Sequence, residues 1–155
     1  MGLRNKFHAS GTVPVVLDGD DLRECLDAKG LYSFTERLAL AKTYSRLAAM
    51  LVRQNQLVIV ATMSLFHEVH EMNRRLAHPY FEVFLDLPIS TLRRRDIKDL
   101  YGHEDGHARA NVGGLNLEVE TPMRPHLHIT DPHIDSAALS EIVFEQFLSL
   151  SQLPK

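Results

Sequence analysis

A chain of 155 residues with 45% hydrophobic content is long enough for one domain with a sizeable core. Its 17 Lys+Arg against 20 Asp+Glu leave a net charge of −3, which argues against a nucleic-acid-binding surface, and 24% charged residues are an ordinary globular value that excludes wholesale disorder. No apolar run approaches the roughly 20 residues that span a bilayer, and the lone Cys25 excludes an intramolecular disulfide framework.

Met1 to His8 lacks the apolar stretch of a signal peptide, so the expected compartment is the cytoplasm, with no membrane partner. Val13 to Leu17 reads as a strand, with Pro14 near its start where a lost donor is tolerated. From Thr35 to Arg53, Leu40, Tyr44, Leu47 and Leu51 recur at helical spacing and predict a helix with one apolar stripe. Leu57 to Thr62 is a continuous apolar run, the pattern of a parallel strand covered on both faces. Phe66 to Ala77 reads as a polar helix, and Tyr80 to Asp86 as a strand stopped by Pro88. Gly102 to Glu120 has little periodicity and four glycines, the pattern of a functional lid rather than an idle connection. His126 to Ile129 predicts a last short strand, and Asp135 the cap of a C-terminal helix over 135–152. The alternation gives an α/β class in a single domain over 1–155, without repeat or linker.

Two segments carry chemistry. Leu17-Asp18-Gly19-Asp20-Asp21-Leu22-Arg23 places carboxylates and an arginine at the carboxyl end of a predicted parallel strand, where open α/β sheets bind ligands. A carboxylate there can orient Mg²⁺ or a substrate hydroxyl, and an arginine can clamp a phosphate; the alternative is an acidic turn capping the next helix. Phe81-Glu82-Val83-Phe84-Leu85-Asp86 is followed by Arg93-Arg94-Arg95-Asp96-Ile97-Lys98-Asp99-Leu100-Tyr101, either a cluster that neutralises a transferring phosphoryl group or a solvated helix face. The pairs His67/His70, His103/His107 and His126/His128 have shared-face spacing, but no His-Glu-x-x-His pattern accompanies them, which favours solvated or lid-gating histidines over a zinc site.

In order, Leu-Asp-Gly-Asp-x-x-Arg (Leu17 to Arg23), Glu36-Arg37, Ala61-Thr62-Met63-Ser64, Tyr80 to Asp86, Arg95 to Tyr101 and Glu120-Thr121-Pro122 resemble the adenylylsulfate kinase family over about residues 1–130. The resemblance implies a P-loop NTPase, nucleotide-kinase-like three-layer fold around a parallel sheet. It implies an ATP-dependent kinase that moves the γ-phosphoryl group, with Mg²⁺, onto a hydroxyl of a nucleotide substrate such as adenylylsulfate. By position it assigns Asp18 and Asp20 to catalysis and Mg²⁺. Arg23, Ser64, Arg74, Lys98 and Leu100 go to the acceptor nucleotide, and Arg95 to ATP. A homodimer is left open.

Two departures qualify that picture. The family's Gly-x-x-x-x-Gly-Lys-Ser/Thr loop is absent, no Gly-Lys pair occurs, and Met1 to His8 resembles the latter part of the helix that follows the loop. The chain therefore resembles an N-terminally truncated member, and the resemblance implies the sheet order 13–17, 57–62, a gap, 80–86, 126–129. Alternatives are a non-catalytic nucleotide-binding remnant or a subunit that depends on a partner. Second, sulfate-assimilating members carry arginines where His67 and His70 stand, while Arg74 is kept. The Ser64-Leu65-Phe66-His67-Glu68-Val69-His70 form resembles a branch associated with surface-polysaccharide biosynthesis, which implies another nucleotide-linked substrate.

Overall fold

The computed structural model describes residues 2–94 and 119–151. In chain order these form α1 (Gly2–Ala9), β1 (Val15–Asp18), α2 (Gly19–Cys25), α3 (Phe34–Val52), β2 (Val58–Ala61), α4 (His67–Leu76), β3 (Val83–Leu85), α5 (Ile89–Arg94), β4 (Leu127–Ile129) and α6 (Ser136–Ser151).

The longest helix starts where its cap chemistry says it should. Ser33 Oγ accepts from the Glu36 amide at 3.3 Å, and Glu36 Oε2 accepts from the Ser33 amide at 3.0 Å, a reciprocal capping box. Donation from the Ser33 hydroxyl at 2.6 Å, and then from its amide, holds the Glu36 carboxyl below its usual range. The predicted stripe of α3 then packs Leu40 and Tyr44 against Leu17, Leu22 and Ala28, with Val15, Leu47, Leu51 and Val58 around them. Its neighbouring face packs Ala41 and Leu38 against Phe66 and Val69 beside α4. At the other end, Phe7 of α1 meets Phe144 and Phe147 of α6 edge-on, with ring centroids 5.0 and 5.6 Å apart. α6 starts on Asp135, whose Oδ1 accepts from the amides of Ala137 and Ala138, both at 2.8 Å.

Strands β1 and β2 pair in parallel from Val15↔Val58 to Asp18↔Ala61, and β3 and β4 pair in parallel from Val83↔Leu127 to Leu85↔Ile129. Among the described residues β2 and β3 share no ladder, so there are two two-stranded sheets. This is the break that the resemblance placed between 57–62 and 80–86. Between them lies a cleft of about 480 Å³ whose walls include Tyr44, Val58, Ile59, Phe81, Val83 and Phe147.

Some expectations are corrected. The 57–62 run is not covered on both faces: Val60 is 44% exposed and Ala61 is exposed too, because β2 has β1 as its only strand neighbour among the described residues. The 80–86 strand shortens to Val83–Leu85. The Glu82 amide donates to the His126 ring at 3.0 Å, and the Glu82 carbonyl takes the amides of His126 and Leu127, so these bonds close off the ladder. The helix at 67–76 is polar on one side only, since it buries Val69 and His70. The lid assigned to 102–120 lies outside the described residues except for Val119 and Glu120. No described helix is long and apolar enough to cross a membrane.

Candidate functional site

The carboxyl ends of β1 and β2 meet at one edge of the cleft. Asp18 closes β1 opposite Ala61, and a Cβ built on Gly19 would touch Thr62 Cγ2 at 3.4 Å. Asp18 Oδ1 accepts the Asp20 amide at 2.9 Å and so caps α2, the role the sequence offered as its alternative. Arg23 turns to the chain that follows its helix: Nη1 donates to the Ala28 and Leu31 carbonyls at 3.3 and 3.0 Å, and the guanidinium lies 5.1 Å from the Tyr32 ring centroid. Ser64 and Thr62 share a hydrogen bond between their hydroxyls at 2.9 Å.

Helix α4 supplies the opposite, polar wall. Its first amide, His67 N, donates to Glu120 Oε2 at 2.6 Å, which sets a carboxylate at the helix N-terminus where the dipole favours it. His67 Nε2 donates to the Thr121 carbonyl at 3.0 Å, and the Glu120 amide donates to the Leu65 carbonyl at 3.0 Å. The 120–121 segment is thereby fastened across the start of α4. One turn on, His70 is buried, and its Nδ1 has no hydrogen-bond partner. Burial pushes the imidazole pKa down, against the pull of Glu82. Arg74 Nη2 donates to Glu82 and, at 2.8 Å, to the Arg124 carbonyl, while Tyr80 Oη donates to Glu82 Oε1 at 3.1 Å. Burial, with the Glu82 charge beside it, raises the Tyr80 phenol far above its usual range, so it stays a donor.

Thr62, Ser64, His70, Asn73 and Glu82 all line the cleft described above, so one concavity runs from the apolar gap to this polar wall. Of the sequence-assigned residues, the structure gathers Asp18 and Ser64 near the strand ends and places Arg74 on α4 in an ion pair. Arg23 is committed to the 28–32 turn. Arg95, Lys98 and Leu100 lie outside the described residues. His70, Asn73, Tyr80 and Glu82 were not among the assigned residues. Glu82 stood inside a quoted motif, as did Arg37, which is buried over the Phe66 ring (5.2 Å to its centroid) with Nη2 unpartnered. Tyr80 opened the quoted motif that holds Glu82, while Asn73 carried no assigned role.

The described residues do not fit a donor nucleotide and its metal. No group of three His, Cys, Asp or Glu side chains among them could hold a metal ion. Asp18 is engaged with the α2 backbone, and the sequence has no Gly-Lys pair to cradle a triphosphate.

Residues 1–130 match the family described as adenylylsulphate kinase. A cytidine diphosphoramidate kinase of Campylobacter jejuni subsp. jejuni serotype O:2 is 34% identical over 110 residues, covering 70% of this chain and 63% of that protein. An adenylyl-sulfate kinase of Pseudomonas aeruginosa is 35% identical over 116 residues, covering 74% of this chain and 59% of that protein. Against these two relatives the chain thus spans less than two thirds of their length. The structure of the Mycobacterium tuberculosis APS kinase CysC in complex with AMPPNP and APS superposes with a TM-score of 0.83 at 28% identity, covering 94% of this chain and 86% of that one. The fold is therefore the α/β P-loop NTPase fold of that kinase.

Proposed function

The chain belongs to the adenylylsulphate kinase family, and from that premise we propose that it binds the phosphoryl-accepting nucleotide of a kinase reaction. The acceptor class is a nucleotide whose terminal group is a sulfate or a phosphoramidate, the two chemistries in the names of its relatives. The observation that supports this most directly is the single concavity at the carboxyl ends of β1 and β2, walled by Thr62, Ser64, His70, Asn73 and Glu82.

In this reading Ser64 and the wall of α4 hold the acceptor. Arg74 contributes by fixing Glu82, and Arg23 by shaping the 28–32 turn. Asp18 and Asp20 stand at the strand end where the acceptor hydroxyl would lie, and Lys98 and Leu100 complete the acceptor side. The family's reaction draws on ATP and Mg²⁺, with Arg95 on the ATP side. No transfer step is assigned to this chain, because its described residues and sequence lack the elements that hold those groups.

Titration calorimetry of the full chain against cytidine diphosphoramidate, adenylylsulfate and ATP tests the proposal. At least one acceptor is expected to bind more tightly than ATP. ATP binding tighter than both acceptors would overturn it.

A further inference from the structure

Three buried side-chain polar atoms among the described residues have no hydrogen-bond partner: Arg37 Nη2, Tyr44 Oη and His70 Nδ1. Buried polar groups are normally paired, so an orphan beside a cleft points to a group supplied from outside. His70 is 8% exposed and lines the cleft together with Ser64 and Asn73. The other polar groups around it are committed. Arg74 and Tyr80 bond Glu82, the His67 ring bonds the Thr121 carbonyl, and Lys42 pairs with Glu68 at 2.7 Å. Among the described residues of this wall, His70 is the side chain with a buried nitrogen that lacks a partner.

We propose that His70 reads the terminal group of the acceptor and favours a phosphoramidate, which carries its own hydrogen-bond donor, over a sulfate, which carries none. This rests on the reading that the cleft holds the acceptor. Burial holds the imidazole neutral, and the Ser64 backbone carbonyl faces its N–H, so the unpartnered nitrogen is left with a lone pair. A terminal sulfate presents acceptor oxygens only. It has no proton to give the lone pair, and among the described residues no Lys or Arg lines the cleft to offset its charge. A phosphoramidate presents P–O acceptors and an amide N–H₂, which can donate to that lone pair. One buried hydrogen bond made or left unmade is worth on the order of tenfold in affinity.

The test holds the nucleoside constant. The full chain is titrated by calorimetry with cytidine 5′-diphosphoramidate and with the cytidine 5′-phosphosulfate analogue at pH 7.5. The diphosphoramidate is expected to bind about tenfold more tightly. H70F, which removes both ring nitrogens, should bring the ratio close to one, H70Q, which keeps a donor and an acceptor, should preserve most of it, and H70R should turn it toward the sulfate. If H70R fails to fold by circular dichroism, H70F and H70Q decide. Equal wild-type affinities, or a ratio unmoved in H70F, would overturn the role of His70 while leaving the acceptor site intact. If neither ligand binds, the acceptor reading falls and this inference with it.

Discussion

Glu82 is 6% exposed, and its charge is tolerable there because Arg74 and Tyr80 both point at it. Removing the cation should strand that carboxylate. R74M is expected to lower the unfolding free energy by about 3 kcal/mol, with E82Q in the same background restoring part of it, as read by urea denaturation. His70 gives a second expectation, with a definite sign. Its pKa is depressed in the fold, chiefly by burial, and of the groups facing it Glu82 favours the charged form while His67 and Arg74 oppose it. The unfolded chain therefore takes up its proton first as pH falls through about 6.5. Stability should be flat above that pH and decline below it. Urea midpoints from pH 5 to 7.5 should show the decline in the wild type and a shallower one in H70F; identical slopes would contradict it. Glu82 and Arg37 were legible as members of motifs, but not as site residues, because pairing and burial are tertiary facts. His70 sat in a helix whose letters are mostly polar, and nothing in the spacing marks one histidine as inward.

At the scale of elements, α3 was readable from its apolar repeat of 3.6 residues, while the Ser33/Glu36 box at its start is a finding of the structure. S33A removes that cap, and the expected cost is about 1 kcal/mol, seen as a shift in the thermal midpoint. A null effect there would mean that packing against Leu17 and Phe66 alone fixes the helix start. Helix α2, at seven residues, is too short to show a period, and only its capping aspartate was visible beforehand. The strand at 80–86 was placed correctly but overextended, since an alternating pattern cannot announce that the His126 ring will take the Glu82 amide. The contact of α1 with α6 depends on Phe7, which is 4% exposed among Phe144 and Phe147. F7A should destabilise by about 3 kcal/mol, checked by the same denaturation.

The whole molecule is organised around the cleft that separates its two sheets. The family resemblance anticipated the break, and hydrophobic patterning alone did not: the runs at 57–62 and 80–86 read equally well as adjacent strands. Among the described residues, the edges of β2 and β3 away from their partners are not paired with one another. The central claim is that the polar mouth of this cleft is an acceptor-nucleotide site. Its most direct test is a hydrogen-exchange footprint of the full chain with and without saturating cytidine diphosphoramidate or adenylylsulfate. Slowed exchange concentrated at Thr62 to Arg74 and around Glu82 is the predicted result. Protection confined to α1 and α6, or none at saturation, would contradict it.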